Sequence, residues 1–333
     1  MSDASEVIAP GTAASDEAVM VKAAALLHAG RLVAFPTETV YGLGADAANP
    51  TAVARIFQAK GRPADHPLIV HLADAQQLDD WARDIPDYAR RLAAAFWPGP
   101  LTLILPRQPH VSDVVTGGLD TVGLRVPSHP VAHALLVAFG GGIAAPSANR
   151  FGRVSPTRAQ HVLDELRGAV EMILDGGPCS VGVESTIVDA TGPAPVVLRP
   201  GGVTREAIER VLGIACGEPT EASPRAPGRL KSHYAPEATV ELVPRGGLAK
   251  HAAVELAAGR RVAVLAPSAA DLPVDERLLF IRLPADVEAQ ARELYLALRE
   301  VDRARCDVAL VELPDEKGLG TAVADRLRKA AAP

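Results

Sequence analysis

Two α/β domains are the fold this sequence predicts, and three observations predict it. Helix-length periodic segments alternate with short apolar runs, the pattern of layered α/β proteins. The alternation breaks once, between Gly213 and Ala238, where Pro, Glu, Ser and Gly dominate, and then resumes. A length of 333 residues at 48% apolar composition suffices for two cores. The expected division is a disordered stretch over residues 1–14, a larger domain over 15–212, a linker over 213–238 and a smaller α/β domain over 239–333.

The elements follow in order. Ser15-Asp16 caps a helix running to His28, with Gly30 as its stop. Leu32–Phe35 is a short buried strand, ended by Pro36, which cannot donate to a ladder. Asn49 followed by Pro50 is a helix start, so Thr51–Ala59 is helical and delivers Lys60 and Arg62 into the loop before the strand Leu68–Leu72. Helical patterns cover Ala75–Trp81 and Asp87–Phe96. Trp97-Pro-Gly-Pro100 turns the chain into the strand Leu101–Leu105. Thr121–Pro127 is a strand with Arg125 inside an apolar run, and Ser128 and Pro130 open a helix to Phe139.

Ile143–Pro146 is a strand that opens into Ser147-Ala-Asn-Arg-Phe-Gly-Arg-Val-Ser155, and Pro156-Thr157 begins a helix. Ile173–Asp175, Gly182–Asp189 and Val196–Arg199 read as strands, closed by the helix Thr204–Leu212. Beyond the linker, strands at Thr239–Val243, Val262–Leu265, Leu279–Ile281 and Val308–Val311 alternate with helices at Leu248–Ala258, Val287–Val301 and Thr321–Ala331.

Charge and cysteine usage exclude several classes. The formal net charge is −6, and residues 1–210 carry 17 Lys and Arg against 22 Asp and Glu. That is not the basic excess of a dedicated nucleic-acid binder. Cys179, Cys216 and Cys306 lie far apart without paired spacing, which argues against a disulfide framework or zinc site and fits a reducing cytoplasm. Neither a secretory leader nor an apolar run of membrane-spanning length is visible.

The chemistry concentrates in a few polar stretches. Phe35-Pro-Thr-Glu-Thr-Val-Tyr-Gly-Leu-Gly-Ala45 presents hydroxyls and one carboxylate at a strand end, where open α/β sheets place their ligands. Lys60-Gly-Arg-Pro-Ala-Asp-His-Pro-Leu-Ile-Val-His71 puts cations before a strand and an imidazole at its far end. Lys60, Arg62, Arg125 and Arg199 are cations in or beside apolar strands, where an uncompensated charge is expensive. Internal ion pairs would account for one of them. Four, beside the hydroxyls of Ser147, Ser155, Ser185 and Thr186, point to bound phosphate and carboxylate. Walker and dinucleotide fingerprints are both missing. The residues alone therefore define a site for an anionic, phosphorylated small molecule and leave the reaction open. The linker carries His233-Tyr-Ala-Pro236, side chains a plain tether does not need.

These motifs, together with Trp97–Leu105, Val122–His129, Ala145–Pro156 and Leu198–Thr204, resemble the threonylcarbamoyl-AMP synthase family in its long, two-domain form. The resemblance implies a YrdC-like catalytic domain with a twisted mixed sheet, followed by a smaller Rossmann-like domain. It implies that L-threonine, bicarbonate and ATP, with Mg2+ carried by the ATP, give L-threonylcarbamoyladenylate, pyrophosphate and water. A partner transferase would then modify the adenosine beside the tRNA anticodon. Carried over residue by residue, the threonine ligands are Thr39, His71, Arg125 and Ser185. The ATP side falls to Lys60, Arg62, His66, Thr121, Ala145, Ser147, Ser155, Arg199 and Tyr234, with Lys60 and Arg62 closest to the chemistry. His66 stands where many relatives carry Asn, so a charge varying near neutral pH is expected there. Arg229-Leu-Lys-Ser232 lacks the Met and Tyr of many members. Pro227 and Gly228 are expected to bend the linker back over the cleft. Direct RNA binding and carbamoyl transfer of the hydrogenase-maturation kind are the competing classes. The first lacks its basic excess, and the second lacks its acylphosphatase and zinc-finger segments.

Overall fold

The computed structural model describes residues 6–8, 16–228 and 232–332. It divides into two compact units. The first comprises residues 1–151, 155–180 and 184–229, and the second comprises 152–154, 181–183 and 230–333.

The strands of the first unit are β1 (Glu6–Ile8), β2 (Val33–Phe35), β3 (Gly42–Asp46), β4 (Ile69–His71), β5 (Leu101–Pro106), β6 (Thr121–Arg125), β7 (Ile143–Ala144), β8 (Met172–Leu174), β9 (Thr186–Asp189) and β10 (Val196–Arg199). They form one mixed sheet in the order β1-β8-β2-β3-β7-β4-β6-β5-β9-β10. Two positions in this order matter for the site. β4 lies parallel to β6 with His71 opposite Arg125. β5 lies parallel to β9 with Leu101 opposite Thr186.

Helix α1 (Glu17–His28) starts where Asp16 accepts from the Ala18 and Val19 N–H groups. Helix α2 (Pro50–Lys60) starts on Asn49, whose side chain accepts from Thr51 and Ala52. The main core packs Leu43, Ile56, Leu92, Leu103, Leu124 and their neighbours between sheet and helices. A second cluster, including Leu27, Phe35, Leu135 and Leu174, packs elsewhere in the unit.

The structure corrects the sequence reading in four places. Disorder over residues 1–14 fails at Glu6–Ile8, which pairs in parallel with β8; residues 1–5 and 9–14 lie outside the described residues. The glycine-rich Gly42–Asp46, given no element above, is a strand, and Gly44 shows why glycine stands there. A Cβ at Gly44 would lie 2.8 Å from the Phe35 ring and 3.0 Å from the Val33 carbonyl oxygen. The segment from Gly182 to Ser185 is not strand; β9 begins only at Thr186. The first unit also extends beyond Leu212. Cys216 joins the main core, and its N–H donates to Glu209. Ala226 packs on Ile69, Ile104, Ile187 and Leu198.

The second unit holds β11 (Thr239–Leu242), β12 (Val262–Ala266), β13 (Leu278–Arg282) and β14 (Val308–Val311) in the parallel order β11-β14-β12-β13. Among its helices is Val287–Arg303, whose N-cap Asp286 accepts from the Ala289 N–H. This is a Rossmann-like parallel α/β arrangement. No helix among the described residues is long and apolar enough to cross a membrane.

Candidate active site

Arg125 ends β6 and is almost fully buried, so its charge must be answered locally. Its Nε donates to the Gly99 carbonyl at 3.2 Å and its Nη1 to Thr39 Oγ1 at 2.9 Å. Its Nη2 lies 2.7 Å from Glu38 Oε1, and the side chains of that ion pair are 5% and 6% exposed. The pair touches without hydrogen-bond alignment, so both atoms keep unused bonding capacity. Glu38 Oε2 accepts from the Ser128 N–H at 3.2 Å. Thr39 is fixed in turn by Thr37, whose hydroxyl lies 2.8 Å from the Thr39 hydroxyl and donates to the Val40 carbonyl. An internal ion pair thus accounts for one of the four strand-associated cations.

His71, opposite Arg125 in the register, is buried with Nδ1 lacking a hydrogen-bond partner and its ring edge-on to Phe35. Burial first, and Arg125 second, push its pKa down to about 3, so the imidazole is neutral at pH 7. Ser185 lies immediately before β9. Its hydroxyl is 2.8 Å from Thr102 Oγ1 and accepts from Arg199 Nη2 at 3.1 Å. Thr39, His71 and Arg125 therefore meet in one place. Ser185 lies beside the Pro100–Leu101 end of β5, next to the Gly99 that Arg125 holds.

Lys60 is the last residue of α2, where the helix dipole favours a cation. It is buried, and its ammonium donates to the carbonyls of Ser147 and Asn149, both at 2.5 Å. Burial pushes its pKa well below the usual lysine range; Arg62 adds to this and Glu165 opposes it. The loop that supplies these carbonyls is held by β3 and the residue before it. Leu43 N–H donates to Pro146 and Ala148 N–H to Tyr41. Arg62 donates to the Pro67 carbonyl at 2.9 Å and lies 5.9 Å from the Phe151 ring centroid. His66 stands edge-on to the same ring. Its pKa is lowered, by burial first and then by Arg62, with Asp65 opposing. Ser155 donates to Glu184 at 2.6 Å. Arg199 also donates to the Ser185 and Pro227 carbonyls. Ala145 sits just past β7, its N–H on the Ile69 carbonyl.

Thr121 opens onto a narrow recess shared with Thr102, Gly123, Arg225 and Pro227. The linker supplies part of that wall. Arg225 pairs with Asp65 and donates to the Gly117 carbonyl, and the chain turns at Gly228 with φ +76°. Arg229, Leu230 and Lys231, three of the four residues marked as departing from relatives, lie outside the described residues. Tyr234 belongs to the second unit. There it is buried at φ +62°, stacked on Tyr295 at 5.8 Å and with the Arg326 guanidinium 5.1 Å from its ring centroid. Sequence reasoning missed Glu38, Glu184 and Arg225 as site-lining residues. Glu38 was detectable as the one carboxylate in its motif, whereas Glu184 and Arg225 carry no local signal.

Fold and site together define an α/β, small-molecule-activating scaffold of YrdC-like type with an appended parallel domain. Residues 25–201 match the family model described as telomere recombination. Residues 203–332 match the model of the threonylcarbamoyl-AMP synthase C-terminal domain. The chain is 48% identical to the threonylcarbamoyl-AMP synthase of Pyrococcus abyssi, over 92% of each chain. It is 45% identical to that of Bacillus subtilis, over 94% of this chain and 92% of the relative. Among solved structures it resembles P. abyssi Sua5 complexed with L-threonine, with a TM-score of 0.89, 46% identity and 95% coverage of both chains. The chain belongs to the threonylcarbamoyl-AMP synthase family.

Proposed function

We infer that this chain is a nucleotidyltransferase that makes L-threonylcarbamoyladenylate from L-threonine, bicarbonate and ATP, releasing pyrophosphate, in the service of tRNA modification. Family membership supports the reaction. The observation in this chain that carries it is one sheet bearing two differently answered cations. Arg125 has a carboxylate partner, and Lys60 has two neutral carbonyls.

The proposed roles follow from that difference. Arg125 clamps the threonine carboxylate, a charge-assisted and potentially bidentate contact. Thr39, His71 and Ser185 read the remaining polar atoms. Lys60 and Arg62, with Arg199, stabilise the charge that accumulates on departing pyrophosphate, so catalysis is mainly positioning and electrostatics. Entry of a triphosphate beside Lys60 favours its ammonium form, opposing the desolvation that now depresses its pKa. His66, Thr121, Ala145, Ser147 and Ser155 line the nucleotide side. In the reaction, the threonine amine takes up bicarbonate as a carbamate, whose oxygen attacks the α-phosphorus. No covalent enzyme intermediate is needed.

Magnesium enters as part of the nucleotide substrate. Among the described residues no group of three or more His, Cys, Asp or Glu could hold an ion. The adenylate is handed to a threonylcarbamoyl transferase. The cytoplasm suits three free, buried cysteines. Mass spectrometry of the purified full chain with ATP, bicarbonate and threonine should show the threonylcarbamoyl adenylate and stoichiometric pyrophosphate. A folded protein that binds threonine but yields neither would overturn the reading.

A further inference from the structure

Glu38 has no role in the scheme above, yet among the described residues it is the one anion that touches Arg125. A carboxylate buried solely to neutralise an arginine poses a problem for a site that must bind a carboxylate. The incoming group and Glu38 would compete for one guanidinium, leaving a surplus negative charge in a desolvated place. An α-amino acid does not bring a bare carboxylate. It brings a carboxylate and an ammonium separated by a single carbon, with no net charge.

Glu38 and Arg125 match that pattern. They are opposite charges 2.7 Å apart, close enough for one amino-acid backbone to meet both. Their contact is not aligned as a hydrogen bond, so Nη2 retains donors and Oε1 retains acceptor capacity. Inserting the zwitterion exchanges one ion pair for two without bringing in net charge. The other polar neighbours cannot replace Glu38 as the anion. Thr39 Oγ1 already accepts from Arg125, His71 is neutral, and burial pushes the Cys179 thiol up, away from the thiolate.

We propose that Glu38 receives the α-ammonium group of the amino-acid substrate and takes its first proton, while Arg125 holds the carboxylate; this rests on the function inferred above. The ammonium gives one proton to the Glu38 carboxylate, leaving a neutral amine and a carboxylic acid. The amine lone pair then attacks the carbon of bicarbonate, and loss of water gives the carbamate: one amine and one bicarbonate yield one carbamate and one water. Without Glu38 a smaller fraction of the nitrogen would be deprotonated and hold a lone pair for the attack.

The test is calorimetric binding to the full chain of L-threonine and of 2,3-dihydroxybutanoate of matching configuration, in which a hydroxyl replaces the amine. The wild type should prefer threonine by about tenfold or more, the scale of a charge-assisted contact. Glu38→Gln keeps the shape and removes the charge. It should bring the two ligands to within about twofold of each other, chiefly by weakening threonine, and should lower product formation by about tenfold or more. Glu38→Asp draws the charge back by one methylene. It should weaken threonine and leave the dihydroxy acid unchanged, so the claim stays testable if the Gln variant does not fold. A Gln variant that keeps the wild-type preference, or an Asp variant that weakens both ligands equally, overturns the proposal. A wild type that binds no threonine overturns the inferred function instead.

Discussion

The Lys60 end and the Arg125 end of the first unit both bury a cation at the edge of an apolar layer, yet they answer it in opposite ways. Lys60 rests on two carbonyl oxygens, neutral dipoles that accept from two of its three donors and do not cancel its charge. Arg125 rests on Glu38, and the pair is neutral overall. The two ends are thus suited to ligands of different charge. A cation held only by dipoles is completed by an anion, whereas a neutral ion pair is completed by a zwitterion. Under the proposed function, nucleotide and amino acid would thereby be sorted by charge before shape is consulted.

The first way to break the comparison is to remove the dipole-held cation. Lys60→Met should cut adenylate formation about 10²–10³-fold, the scale seen when one preorganised transition-state donor is lost. Steady-state rates at saturating threonine measure it. A loss smaller than about tenfold would move the catalytic charge elsewhere. Next, Arg125→Ala should raise the threonine requirement about tenfold to a hundredfold, for a charge-assisted contact worth roughly 1.5–3 kcal/mol, with little change in the ATP requirement. The same variant strands Glu38 as a buried carboxylate and should lose about 3–5 kcal/mol of stability in denaturant titrations. Adding Glu38→Gln in an Arg125→Met background should restore most of that stability. If it does not, the two side chains are not the coupled pair described.

Gly44→Ala sharpens the comparison by probing the scaffold both ends share. β3 lies between the Phe35 strand and the strand that leads into the Lys60-binding loop. The new methyl would crowd the Phe35 ring and the Val33 carbonyl. A loss of about 1–3 kcal/mol is expected for such overpacking, read from the denaturation midpoint. A further effect, confined to acid, is the pH sensitivity conferred by His71. Its folded pKa of about 3 lies below the ordinary 6.5, so the unfolded chain binds the extra proton between these values. Stability therefore falls as pH drops through that window, by up to about 1.4 kcal/mol per pH unit for one such group. His66 and His129, also lowered, act in the same direction. His71→Asn should flatten the slope by about one proton; an unchanged slope would mean that His71 is not the buried neutral group described.

Much of this was legible in the chain. The Asn49 and Asp16 caps, and the apolar runs around Val33, Leu103 and Val188, mark their elements because capping and burial act locally. Alternation likewise marked the second α/β unit. What was not legible depends on partners distant in sequence. Gly42–Asp46 reads as a turn until Phe35 occupies the space a side chain would fill. Cys216 and Ala226 look like linker until Glu209 and Ile187 are seen beside them. Arg125 could be picked out as a desolvated cation, but Glu38 lies 87 positions earlier, and only the sheet order unites them. The direction of the His66 shift depends first on its burial, which the sequence does not display.

A crossed titration tests whether charge separates the two ends. Threonine and magnesium-ATP are each titrated into the wild type, Lys60→Met and Arg125→Met, with full-length protein and calorimetric detection. A crossed result is expected. Lys60→Met should weaken ATP by about tenfold or more and leave threonine within about twofold, and Arg125→Met should do the reverse. Equal weakening of both ligands by either variant would contradict it, because a single shared anion site would then serve both substrates.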